Sequence, residues 1–329
     1  MKAIIQRQYG SPDVLQMAEV QTPAPRNDQV LIRIHAATLT ATDVIFRRGR
    51  PLVSRSATGF LKPKRSIPGD GLAGVIEDVG SDVTLYRKGD QVFGSTGAGF
   101  GAHAEYLCLA ENSALAKKPS TMSFAEAVSL SDGALTALPF LRDEARLQAG
   151  QKILIIGASG SIGTAAVQLA RYFGAVVTGV CSTSNVELVK SLGATEVVDY
   201  TKEDFTRSGK TYDVIFDAVG KNSFARCKSS LVGRGIYLST VLTGAVLWDQ
   251  TLTSMIGKKK AKIAFTGLRS ASDRARDLLL LSELFTSGKL RAVIDRTYPL
   301  DRIGEAHRYV EQGHKRGNVI LAMERDDRR

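Results

Sequence analysis

The apolar run Lys152–Ile156 empties directly into the glycine-rich turn Gly157–Gly163, and an amphipathic segment, Thr164–Gly174, follows without a break. A buried strand, a tight turn and a helix in that order aim backbone N–H groups and a helix N-terminus at one point, where a pyrophosphate is stabilised. Gly160 lets the backbone approach the phosphates and Gly163 lets the helix pack on its strand. The strand–turn–helix context gives the glycine pattern its meaning. Ser159, Gly160, Ser161, Ile162 and Gly163 are therefore candidate phosphate-binding residues.

About 20 residues past such a turn, a site that prefers NAD carries a carboxylate for the ribose hydroxyls. Here the second strand, 175–181, ends in Ser182, Thr183, Ser184 and Asn185. With no carboxylate to repel it, a 2′-phosphate can accept hydrogen bonds from Ser182, Thr183 and Asn185, which points to NADPH. The competing reading makes Ser182 and Asn185 simple helix N-caps.

Length and composition bound the rest. The 329 residues suffice for two cores, and 43% hydrophobic with 23% charged residues is ordinary for a globular chain. No apolar run approaches the roughly 20 residues of a membrane span, and the N-terminus turns polar too early for a signal peptide. No membrane partner is expected. Three scattered cysteines, Cys108, Cys181 and Cys227, indicate a reducing compartment, hence the cytoplasm, and give no zinc-lobe spacing. The net charge of +11 comes partly from Arg47–Arg48, Lys62–Arg65 and Lys258–Lys260. None of these clusters interleaves with aromatics, so solvated basic faces are expected and a nucleic-acid partner is not.

Residues 1 to about 120 carry short alternating runs and turn signals and read as all-β. From about 121 the rhythm becomes strand and helix in alternation. Strands are predicted at 152–156, 175–181, 195–200, 212–217, 235–240 and 261–266, with helices at 163–173, 184–192 and 222–231, which implies a covered parallel sheet. A helix near 273–287 and a strand at 318–322 close the chain. Residues 50–67 form a long basic excursion, either a flexible loop or a lid.

Taken together, Tyr9–Leu15, Pro68–Gly74, Lys88–Gly94, Gly101–Tyr106, Gly133–Thr136, Gly157–Gly163, Leu192–Ala194 and Asp213–Gly220 resemble, in order and spacing, the medium-chain dehydrogenase/reductase superfamily. Within it the chain is similar to the zinc-independent quinone oxidoreductase (zeta-crystallin-like) branch. The resemblance implies an α/β fold: a GroES-like β-rich catalytic domain over 1–120, a Rossmann doubly wound parallel-sheet domain over 121–267, and a return to the catalytic domain over 268–329. It also implies an active site in the cleft between domains, a homodimer, and a small electrophilic substrate.

The same resemblance sets Thr40, Asp70 and Asp132 at the positions where metal-dependent members hold zinc through Cys, His and Cys. A hydroxyl and two carboxylates are poor zinc ligands, so no metal is expected. Hydride from NADPH would then go to a quinone or an α,β-unsaturated carbonyl. An Asp70/Asp132 pair sharing one cleft would raise one member's pKa and let it donate a proton; the competing reading has each aspartate capping a turn or pairing with a cation. Thr40 is the other catalytic candidate. The family's Asn at Thr40 and Tyr near Ile45 are both missing. Thr136 falls where the family faces the nicotinamide. Tyr200, at the end of the third strand, either lies against the adenosine half or is a buried strand-end residue. Val219 and Asn318 complete the expected cofactor set. Two alternatives remain: an enoyl-thioester (2-enoyl-CoA or acyl-carrier) reductase, and a nucleotide- or RNA-binding protein without significant reductase activity.

Overall fold

The computed structural model describes residues 1–323 and divides them into two compact units, Met1–Asp132 together with the chain from Gly267 onward, and Gly133–Thr266. The first division falls inside a helical stretch rather than at residue 120.

In the first unit, β1 (Lys2–Gln6) pairs antiparallel with β2 (Leu15–Glu19). Strand β3 (Gln29–Leu39) runs into α1 (Ala41–Arg48), and the excursion that follows holds a short helix, α2 (Arg55–Thr58). Then come β4 (Gly71–Val79), β5 (Gln91–Ser95), β6 (Tyr106–Ala110) and β7 (Ala114–Lys117). This part is not all-β as read from sequence. Helix α1 interrupts it because Thr40 and Asp43 form a reciprocal capping box, each side chain taking the other's backbone N–H. The signal was one T-x-x-D, easily lost among strands.

The helical stretch 124–144 follows as α3 (Phe124–Ser129), a π turn over Leu130–Ala134, α4 (Leu135–Pro139) and a second π turn over Phe140–Glu144. Such π insertions concentrate at functional sites.

The second unit alternates β8 (Lys152–Ile156), α5 (Ser161–Tyr172), β9 (Val176–Cys181), α6 (Val186–Ser191), β10 (Glu196–Asp199) and β11 (Tyr212–Asp217). It continues through α7 (Phe224–Cys227), β12 (Leu231–Ser239), α8 (Gly244–Met255) and β13 (Lys260–Ile263). All six strands are parallel, in the order β10-β9-β8-β11-β12-β13. That is the doubly wound Rossmann order, whose ligand crevice opens at the carboxyl ends of the strands where the winding reverses. Two expectations shrink. The helix predicted over 222–231 ends as a 3-10 turn because Leu231 already belongs to β12, and the strand predicted to 266 stops at Ile263.

Helix α9 (Ala271–Thr286), β14 (Ile294–Pro299), α10 (Ile303–Glu311) and β15 (Asn318–Ala322) complete the first unit. Its larger sheet runs β14-β15-β3-β4-β5-β7, with β6 also paired to β3. Ile32, Ile34, Leu39, Leu72, Ile76, Ile303 and Leu321 are among the side chains of its core, and none is appreciably exposed. Leu154, Val180, Ile215, Phe224 and Tyr237 belong to a core cluster of the second unit.

Candidate active site

In the second unit, every predicted phosphate or ribose residue lies at the carboxyl end of a strand. Gly157 leaves β8 with φ +77° and lies against Val219, which the turn after β11 carries. A Cβ on Gly163 would come within 2.7 Å of the Ala158 Cα, so no side chain fits where the helix meets its strand. A Cβ on Gly160 would find only the Gly157 carbonyl, at 3.6 Å, which leaves the mouth of the turn open. Helix α5 starts at Ser161 with Gly160 as its N-cap and no side-chain cap. The orphan N–H groups of that first turn fit an anionic phosphate.

Asn185 ties this turn to the ribose loop. It is buried, and its Nδ2 donates to Ser159 Oγ at 3.1 Å and to Ser182 Oγ at 3.2 Å, while Oδ1 has no partner. Ser182 and Asn185 stand at the N-cap positions of the 183–185 turn and of α6, but neither side chain makes a capping hydrogen bond, which leaves their polar atoms to other partners. With its amide hydrogens taken, Asn185 is a strut that orients Ser159 and Ser182.

A carboxylate that the sequence reading missed sits beside this loop. Thr183 Oγ1 donates to Asp199 Oδ2 at 2.5 Å, and Thr201 supplies its N–H at 3.0 Å and its hydroxyl at 2.7 Å. Those hydrogen bonds, Thr183's foremost, hold the Asp199 carboxyl down at about 2, so it is ionised. The exposed ammonium of Lys202 lies 3.7 Å from Asp199 Oδ2 and returns a positive charge to the same corner. Tyr200 follows Asp199 and is 56% exposed, so the buried strand-end alternative does not hold.

Two further residues shape the crevice without having been assigned a role. Asp217, fully buried at the end of β11, accepts from the N–H groups of Val219 (3.1 Å), Gly220 (2.8 Å) and Asn222 (2.9 Å) and from the Tyr237 hydroxyl (3.1 Å). It folds the turn that carries Val219. Gly133 meets the start of α5 backbone to backbone: a Cβ there would strike the Ser161 carbonyl and come within 2.9 Å of the Ile162 N. That contact sets α4, which carries half-buried Thr136, against the phosphate turn.

In the first unit, the three residues at the family's metal positions are committed elsewhere. Thr40 Oγ1 donates to Asp43 Oδ2 at 2.7 Å and accepts from Asp43 N at 3.2 Å. Asp70 Oδ1 accepts from Ser95 Oγ and Gly97 N, each at 2.7 Å, and Arg274 Nη1 reaches the same Ser95 Oγ at 2.9 Å. Burial raises the Asp70 pKa against those hydrogen bonds, and the carboxylate that adds to the rise is Asp43. The charge of Asp132 acts on Lys315, whose ammonium form burial disfavours and Asp132 and Asp295 only partly support, so its pKa stays lowered. Asp43 is thus the carboxylate that acts on Asp70, and Lys315 is a cation on which Asp132 acts. Asn318 is 5% exposed, and both its N–H and its Nδ2 donate to the Val293 carbonyl, at 2.8 and 3.1 Å. These bonds tie Asn318 to the chain just before β14, while its Oδ1 has no partner. Among the described residues no group of three His, Cys, Asp or Glu is placed to hold a metal.

Comparison with known proteins agrees with this architecture. Residues 26–120 match the alcohol dehydrogenase GroES-like domain, and residues 192–321 match the family described as zinc-binding dehydrogenase. The chain is 35% identical to the 2-methylene-furan-3-one reductase of Solanum lycopersicum, covering 98% of this chain and 79% of that protein. It belongs to the quinone oxidoreductase branch of the medium-chain dehydrogenase/reductase superfamily. The NADPH-dependent alkenal/one oxidoreductase of Arabidopsis thaliana is 33% identical over the same shares of the two chains. The solved quinone oxidoreductase of Coxiella burnetii superimposes with a TM-score of 0.88 at 30% identity, covering 98% of this chain and 99% of that one. As a member of this superfamily the protein is an oxidoreductase, and its Rossmann crevice fits a nicotinamide dinucleotide.

Proposed function

We propose that the protein is a zinc-free, NADPH-dependent reductase that delivers hydride to a quinone or to the β-carbon of an α,β-unsaturated carbonyl. One observation carries the reading: the Thr40 hydroxyl is locked in a reciprocal pair with Asp43, and one oxygen of Asp70 is engaged by Ser95 and Gly97. A hydroxyl and a carboxylate committed in this way are a poor ligand set for zinc, which favours an acceptor already electrophilic at carbon. The names of the tomato and Arabidopsis relatives, both reductases of conjugated carbonyls, support the same class.

Bound NADPH supplies the hydride. The α5 N-terminus, with Ser159 and Ser161 beside it, holds the pyrophosphate, and Asn185 keeps Ser182 turned to the ribose. Lys202 balances Asp199, so the 2′-phosphate meets a cation as well as the Ser182 hydroxyl. Thr136 and Val219 border the nicotinamide end, and the exposed ring of Tyr200 serves the adenine end. Hydride addition moves an electron pair onto the acceptor oxygen, and the resulting enolate takes its proton at the α-carbon. The Thr40 hydroxyl proton is held by Asp43, and Asp70 acts as an acceptor, so water is the proton source.

Trp248, Met255 and Ile256 are exposed at the edge of the parallel sheet, where β13 has a neighbour on one side only, which supports a homodimer joined at β13. The three cysteines are free, in keeping with a reducing, cytoplasmic setting, and no described helix is long and apolar enough to cross a membrane.

The purified protein, screened for NADPH oxidation against quinones, enones and 2-enoyl-CoA thioesters, tests the assignment. Turnover with quinones or enones is expected. Turnover confined to the thioesters, or RNA retention with no oxidation, would replace it.

A further inference from the structure

Between Arg48 and Asp70 the chain carries Arg50, Arg55, Lys62, Lys64 and Arg65 and not one acidic residue. The excursion is folded rather than loose. Tyr9 stands at its base, with its hydroxyl 2.8 Å from Thr58 Oγ1 and also bonded to the Gly59 carbonyl. The Arg55 guanidinium lies 4.5 Å over the Tyr9 ring, its Nε donates to the Gly49 carbonyl at 3.0 Å, and its Nη1 reaches the Phe60 carbonyl at 3.3 Å. Lys64 N donates to the Thr58 carbonyl at 2.7 Å, and Gln6 N to the Ser66 carbonyl at 2.7 Å.

On this mount stand four apolar side chains that the molecule does not cover: Leu52 at 69%, Val53 at 60%, Phe60 at 79% and Leu61 at 89% exposed. A fixed backbone that holds Phe60 and Leu61 out in water stabilises nothing inside the fold. Lys62, Lys64 and Arg65 follow at once, all exposed, and none makes an ion pair or a side-chain hydrogen bond with another described residue. Even fully extended, the chain keeps Arg65 within about 14 Å of Leu61. Protruding apolar side chains collared by unpaired cations match one environment: the boundary between acyl chains and anionic headgroups.

We propose that the 50–67 excursion docks the protein on the surface of an anionic phospholipid bilayer, with Phe60 and Leu61 entering the interface and Lys62, Lys64 and Arg65 on the headgroups. The protein then lies on the membrane and does not span it, which revises the sequence-based expectation of no membrane partner. A lipid surface is favoured over RNA because Phe60 is the only aromatic at the tip, and the aliphatic Leu52, Val53 and Leu61 offer bases no stacking face. It is favoured over a protein because the cations around the tip run without a single acidic residue to alternate with them, which suits a uniformly anionic surface. The inference is independent of the acceptor.

Co-sedimentation of the full chain with vesicles tests it, using phosphatidylcholine alone and phosphatidylcholine mixed with phosphatidylglycerol. Wild type should pellet with the mixed vesicles, stay with the supernatant of the neutral ones, and be released by raised salt. Phe60→Ser with Leu61→Ser should weaken binding by about tenfold or more. Lys62→Ser, Lys64→Ser and Arg65→Ser should each cost about fivefold. All five positions are exposed, so thermal midpoints should match wild type and report intact folding. No association with the mixed vesicles at low salt would overturn the proposal, as would binding unchanged in the Phe60/Leu61 variant. Lipid-free self-association that this variant abolishes would assign the tip to a second copy, and salt-sensitive retention on RNA without vesicle binding would assign it to nucleic acid.

Discussion

On the proposed reading, Asp199 and Lys202 bear on the cofactor's 2′-phosphate as much as the serines from which the preference was first read. The second strand ends without a carboxylate, yet parallel pairing sets Cys181 opposite Asp199 and so carries an ionised carboxylate to Thr183. An anion there disfavours a 2′-phosphate unless Lys202 offsets it. Charge-assisted hydrogen bonds are worth ~1.5–3 kcal/mol, so Lys202→Ala should weaken NADPH binding by about tenfold and leave NADH nearly unchanged. Ser182→Asp should move preference further towards NADH. Fluorescence titration with both dinucleotides measures this, and equal dissociation constants in the wild type would remove the argument. The serine loop was legible because it adjoins the glycine turn in sequence. Asp199 was not, because only the β9–β10 register brings positions 16 apart onto one corner.

Strand β8 and helix α5 were visible in the sequence because an apolar run of the right length meets glycines that sterics require. Helices α1, α8 and α10 were not: α1 and α8 start on side-chain caps, and the buried stripe of α10 (Ile303, Ala306, His307, Val310) spans two turns only and includes a histidine. The π-interrupted stretch 124–144 illustrates the limit: Gly133 reads as an ordinary helical glycine until the backbone of α5 is seen against it. Gly133→Ala should push α4 from the phosphate turn, lowering both the thermal midpoint and NADPH affinity, and an alanine variant with wild-type values would refute that close approach. On α10, His307 is buried with neither ring nitrogen partnered, and burial, with lesser contributions from His103 and Arg47, depresses its pKa from 6.5 to about 2. The neutral ring is the folded form. Its stabilising contribution is therefore present above pH 6.5 and is lost as pH falls from there towards the folded value. His307→Leu removes that dependence, so urea unfolding at a series of pH values should show the variant losing less stability than wild type between neutrality and mild acid. Equal slopes would place the proton elsewhere.

At the scale of the whole molecule, the doubly wound order and the β-rich first unit follow from element rhythm alone, whereas the covering of each sheet edge does not. The β13 edge and the exposed face of α8 predict a dimer. Sedimentation velocity should give the mass of two chains for wild type and of one for Trp248→Lys with Met255→Lys, while a monomeric wild type would contradict the pairing. The central claim concerns chemistry: hydride passes directly to a conjugated acceptor, no metal takes part, and water returns the proton. The most direct measurement follows the isotopes after exhaustive chelation, with NADPH deuterated at the transferring position of nicotinamide C4 and an enone acceptor in ordinary water. The account predicts undiminished turnover and a product carrying one deuterium at the β-carbon and a solvent proton at the α-carbon. Turnover lost with the chelated metal, or a product without deuterium at the β-carbon, would contradict it.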